Sequence, residues 1–101
     1  MTFNDIFNPY NSELYYNCAS LVSGVSILNH QILNDDERKS IDDSIKDCFQ
    51  QLDKMGVTFR FQNSLLYIAE KFDSRSNYLR DMIIKAIDHA GGIENVYMMA
   101  E

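Results

Sequence analysis

Two apolar runs constrain this chain more than anything else in it. Leu14, Cys18, Leu21, Val25, Leu28 and Ile32 follow one another in steps of 4, 3, 4, 3 and 4, and Ile41, Ile45, Cys48, Leu52 and Met55 in steps of 4, 3, 4 and 3. That spacing keeps the side chains on one edge of an α-helix, as a seam laid along a partner helix. Only Asn34-Asp35-Asp36 lies between the two helices that carry these runs. So short a connection cannot carry the chain back for a parallel pairing, so the helices must be antiparallel neighbours. The two seams then match layer by layer: Leu28 with Ile41, Val25 with Ile45, Leu21 with Cys48, Cys18 with Leu52, and Leu14 with Met55.

The ends of the runs carry matching signals. Asn34 with Glu37 three residues on has the form of a capping box. Asp35, Asp36 and Glu37 place negative charge at the positive end of the helix dipole. Lys54 and Gly56 suit a helix C-terminus. Thr2 and Asp5 are spaced like a second capping box, ahead of a short turn that puts Phe3, Ile6 and Phe7 on one face and ends at Pro9.

The first long helix is expected from Asn11 or Ser12 to about Leu33. Tyr15, Ala19, Val22 and Ile27 lie off its seam, so it should contact more than one neighbour. Gly24 in its middle costs about 1 kcal/mol relative to Ala, a cost that close approach of another helix would explain. The second long helix, about Asp35 to Met55, has an outer face with Asp35–Lys39 and Asp42–Lys46 in the favourable i,i+4 order, a solvated face.

Val57–Gln62 alternates like a strand, but Phe61, Leu65, Ile68 and Phe72 form a helical stripe. A helix from Thr58 to Phe72 is therefore expected, well buried because Phe59, Leu66 and Tyr67 widen its apolar surface. After a turn at Asp73–Ser76, a last long helix with Leu79, Met82, Ile83, Ala86, Ile87 and Ala90 inside should run to Ala90 and stop at Gly91-Gly92. The tail places Ile93, Val96 and Tyr97 on one face of a final turn. The expected fold is all-α: one domain over residues 1–101, a compact bundle of four main helices built on an N-terminal antiparallel helical hairpin, with a short C-terminal tail helix.

Composition narrows the function classes. Apolar residues make up 46% and charged residues 24%, the balance of a globular chain. No apolar run reaches the roughly 20 residues that span a bilayer, and Met1–Asp5 lacks the basic start of a signal peptide. Cys18 and Cys48 both sit on seam positions, as small buried hydrophobes. These features point to a cytoplasmic protein, in a bacterial or host cytosol. Frequent Asn, Ile, Asp and Tyr with a single Pro suit a gene of an AT-rich phage, virus or mobile element. The formal charge is −6, all of it from residues 1–53, which hold nine acids and three bases, whereas residues 54–101 hold six of each. An acidic chain repels a phosphate backbone, which weighs against nucleic acid.

Chemistry-bearing patterns are sparse. His30 and His89 fall near helix ends, where the dipole favours them. There is no Cys-x-x-Cys, no His-Glu-x-x-His and no Gly-rich phosphate loop. Asp73-x-Arg75-x-Asn77 echoes a calcium loop, but Tyr78 stands at the glycine position and Ile84 at the twelfth. No catalytic residue, metal or cofactor is expected.

The stretch from Ile68 to Ile83 resembles a DNA-reading helix-turn-helix. Ala69 would let two helices cross closely, a turn of about four residues follows, Leu79 and Met82 would face the first helix, and Arg75, Ser76, Asn77 and Arg80 stand near the start of the second. The resemblance implies a transcriptional regulator that contacts phosphates or base edges through those four residues. It departs from the pattern at Asp73, where glycine is usual, and at Ser74, where an apolar residue is usual.

The leading expectation is a small acidic protein without enzymatic activity that binds another protein as a regulator, inhibitor or assembly factor, with Tyr97, Met98 and Met99 as its contact residues. The helix-turn-helix reading is the alternative. Homodimerisation through Val57–Gln62 or the tail is a further expectation of the binding kind.

Overall fold

Asn34 starts the helix on which the hairpin turns. Its side chain accepts from the Glu37 amide at 2.8 Å while the Glu37 carboxylate accepts from the Asn34 amide at 3.3 Å. Each thereby satisfies an amide left without a partner at a helix start. In the computed structural model, which describes residues 2–7 and 12–98, the helices are α1 (Phe3–Ile6), α2 (Ser12–His30), α3 (Asp35–Lys54), α4 (Phe59–Lys71) and α5 (Leu79–His89). A single 3-10 turn, Ile93–Asn95, follows α5. The fold is an all-α bundle, and the short tail helix is that one turn. No helix among the described residues is long and apolar enough to cross a membrane.

The hairpin forms on the expected seams. Leu14, Cys18, Leu21 and Val25 of α2 are buried, as are Ile45, Cys48 and Leu52 of α3, with Leu28, Ile41 and Met55 half-buried at the two ends. The seam stops short at Ile32. The helix ends at His30 rather than near Leu33, and Ile32 stands wholly in solvent in the loop that follows. Asn34 must adopt an extended conformation to cap α3, which leaves no room for a further turn of α2. At Gly24 the two helices lie close. A methyl group there would stand 2.9 Å from Ile45 Cγ1 and 3.5 Å from Ile41 Cγ2, so the helix-weakening glycine marks a close crossing.

α2 is the central helix, packed against α3, α4 and α5. Its second stripe, Tyr15, Ala19, Val22 and Ser26, faces the α4–α5 pair. Ala19, Val22 and Ser26 are buried, and the Ser26 hydroxyl donates to the Phe72 carbonyl and accepts from the Ser74 amide at 2.8 Å. α1 adds an aromatic cluster. Its Thr2–Asp5 capping box forms, the Phe3 and Phe7 rings stack at 4.7 Å, and both meet Tyr15 edge-on. The Pro9 stop lies outside the described residues.

α3 ends in a Schellman turn. Gly56, at φ 79°, lets the Val57 amide reach the Leu52 carbonyl and its own amide reach Asp53. Val57 and Thr58 are then the extended residues of the ambiguous stretch, because helix α4 begins at Phe59, capped by Thr58. The tail supplies Val57 with a partner. Tyr97 pairs with it in an isolated antiparallel bridge, the Thr58 amide donates to Val96 at 2.9 Å, and the Met98 amide donates to Gly56 at 2.8 Å. Thr58 also donates its hydroxyl to the Asn95 carbonyl. Val96 is fully buried, so after its one 3-10 turn the tail closes the bundle as an extended clip.

Two apolar residues of α4 were expected inside and are outside. Phe59 is 65% and Tyr67 40% exposed. Among the described helices α4 packs chiefly on α2 and α5, and Phe61, Leu65, Ile68 and Ala69 already fill that face.

Candidate functional site

The covered faces of α2 leave one side open. Tyr16, Ser20, Ser23 and Ile27 form a third stripe in steps of 4, 3 and 4, lying between α3 and α5 with no helix among the described residues upon it. A groove of about 440 Å³ runs along it. Its floor is Ala19, Ser20, Ser23 and Gly24, its walls are Ile41 and Ser44 of α3 and Leu79 of α5, and Tyr15 and Tyr16 close one end. Tyr16 is 69% exposed, although an aromatic ring is the kind of side chain that gains most from being covered. No charged side chain lines the groove.

The stripe was visible in the sequence only in part. Ile27 stands off the seam in any helical reading, but two serines in the middle of a stripe read as polar surface. The groove depends on which two faces of α2 the other helices cover, and spacing along one helix does not contain that.

The four residues of the helix-turn-helix resemblance do not share a helix. The connection from α4 to α5 is the seven residues Phe72–Tyr78, longer than the four-residue turn expected. Arg75, Ser76 and Asn77 therefore stand in the loop, and only Arg80 lies on α5. The loop is long because Asp73 folds it on itself. The Asp73 carboxylate accepts from the Arg75 amide at 2.9 Å and from its guanidinium at 2.7 Å, and Asn77 donates to the Asp73 carbonyl at 3.1 Å. The hydrogen bonds from Arg75 hold the Asp73 carboxyl down to about 2. Arg75 also donates to the carbonyl of His30 at 3.2 Å, closing the open end of α2. Arg80 lies over the Phe3 ring at 4.8 Å, within reach of Asn4.

Tyr97 and Met98 fall on the tail clip. Tyr97 is half-buried against the core, and burial pushes its hydroxyl above the usual tyrosine range. Met98 is 53% exposed beside the Gly56 backbone it bonds. Met99 lies outside the described residues. The clip and the groove are thus separate places, and the clip's backbone is engaged in holding the tail down.

One serine–histidine pair is present. Ser64 Oγ and His89 Nδ1 are 2.9 Å apart, but Ser64 is buried and bonded to the Arg60 carbonyl. The His89 ring stacks on Tyr67, which has Lys71 over its ring. The pair ties α4 to α5. Among the described residues no group of three His, Cys, Asp or Glu could hold a metal ion. Cys18 and Cys48 are free thiols, and burial raises both above the usual thiol range.

The fold defines the class, a small all-α bundle with one open face on its central helix. Compared with known protein families, curated proteins and solved structures, the chain matches none.

Proposed function

We propose that this chain acts without catalysis, by binding another protein through the groove on α2, as a small regulator, inhibitor or assembly factor. The observation that carries this reading is the open third stripe of a helix otherwise covered on two sides, with an exposed tyrosine at one end and an uncharged lining. Exposed apolar hollows of this kind favour a partner surface. Buried free thiols at Cys18 and Cys48 suit a reducing cytosol, and an acidic chain rich in Asn and Ile suits a phage, virus or mobile element.

The test is site-specific photocrosslinking in the cell the chain comes from. A photoreactive side chain at Tyr16 should give one discrete protein adduct, and the same group at Lys39, on the far face of α3, should give none. Equal yields at the two positions, or an adduct to nucleic acid, would overturn the reading.

A further inference from the structure

We infer that the groove takes a single amphipathic helix of the partner protein, with basic residues along the edge that meets α3; this rests on the protein-binding reading above. The occupant must be helical because of what the lining offers. Tyr16 to Ile27 lies wholly within α2 and Ile41 and Ser44 within α3, while Leu79 is the first residue of α5. Backbone groups in the body of these helices bond within their own helix. They present no free edge on which a strand or loop could satisfy its amides and carbonyls. A helix brings its own backbone already paired. The floor fits one: small side chains at positions 19, 20, 23 and 24 allow the 8–10 Å axial approach of packed helices. Tyr16 and Ile27 are about 17 Å apart at 1.5 Å per residue, the length of three turns.

The charge of the occupant follows from the rim. On α3 the charged positions one turn either side of Ser44 and Ile41 are Glu37, Arg38 and Asp47. Asp36, Glu37, Ser40 and Ile41 line a second hollow of about 390 Å³ that shares Ile41 with the groove. This side of α3 carries Asp36, Glu37 and Asp47 against the one base Arg38. Lys46, on the far side, is held by Asp42 at 3.1 Å. On α2 the only acid or base besides His30 is Glu13, one turn from Tyr16. On the α5 wall, Arg80 is turned onto Phe3. Lysines on one edge of a docked helix would meet carboxylates, and glutamates there would be repelled.

The experiment titrates two synthetic 18-residue leucine-striped helices into isotope-labelled protein, one flanked by lysines and its twin by glutamates, and follows backbone amide signals up to about 1 mM peptide. The lysine helix should move Ser20, Ser23, Gly24 and Ile27, with weaker binding as salt rises. Neutralising the rim (Glu13→Gln with Asp47→Asn) should weaken it about threefold. Ser23→Arg should weaken it about tenfold or more, with Ser20→Gln as the milder variant if the arginine disturbs folding. Three results would overturn the inference: no localised shifts with the lysine helix, equal binding of the glutamate twin, or groove signals that move with protein concentration alone while light scattering shows a doubled mass, which would make a second copy the occupant. A single adduct at Tyr16 with no lysine-helix binding would leave the protein-binding reading standing and sink this inference alone.

Discussion

Asp73 and the two cysteines show how single side chains report their surroundings. The Asp73 carboxyl titrates near 2 against an ordinary 3.8, because Arg75 bonds its charged form. A carboxyl lowered in the folded state contributes fully above its ordinary value and loses that contribution as pH falls toward the lowered one. The Asp73–Arg75 clip should therefore hold at neutral pH and open between about pH 4 and pH 2. A shift of the Arg75 Nε–H signal over that window would show it, and Asp73→Asn should abolish the shift at every pH. Because the pair is solvent-exposed, its loss should hardly change the thermal midpoint. The cysteines behave oppositely. Burial disfavours their thiolates, the reactive form, so the native protein should resist a thiol reagent at pH 8 and both cysteines should react at once in denaturant. Rapid labelling of either in the native state would contradict the buried seam.

At the scale of elements, close approach and capping carry the fold. Gly24→Ala gains about 1 kcal/mol of helix propensity but drives a methyl group against Ile45 Cγ1, which hangs on a β-branched carbon whose χ1 is stiff in a helix. Overpacking typically costs 1–3 kcal/mol, so the net should be a loss of up to about 2 kcal/mol in urea unfolding. Combined with Ile45→Ala, the alanine at position 24 should cost less than it does alone. Thr58 caps α4 and holds Asn95 with one hydroxyl. Thr58→Ala should therefore cost about 1–2 kcal/mol and speed hydrogen exchange at the Met98 amide, which lies in the clip.

Much of this level was legible in the sequence. The seams, both capping boxes and the Gly56 stop depend on neighbours within a few residues, and they formed as spacing predicts. The misplaced features depend on distant partners. Val57 is extended because Tyr97 returns to it, Phe59 and Tyr67 are exposed because two neighbours saturate α4, and α5 starts late because Asp73 gathers its loop. The groove belongs with these, since it is the face that α3 and α5 leave uncovered.

For the molecule as a whole, charge decides between partners. With −6 overall, and with Arg75 held by Asp73 and Arg80 laid on Phe3, the basic groups of the Ile68–Ile83 segment are engaged within the chain. Anisotropy on random duplex DNA at low salt should show no binding at about 10⁻⁵ M protein, inside the usual range for non-specific contacts. Salt-sensitive binding lost in Arg75→Ala with Arg80→Ala would instead favour the helix-turn-helix reading. The C-terminal clip has a consequence in time. Ribosomes deliver a chain from its N-terminus, so α2 and α3 leave the exit tunnel long before Val96 does. Until that valine arrives, its place in the core is empty and the Val57 edge unpaired. The bundle therefore closes only after Val96 has been made, and translation that terminates before residue 96 releases a bundle still open on one side.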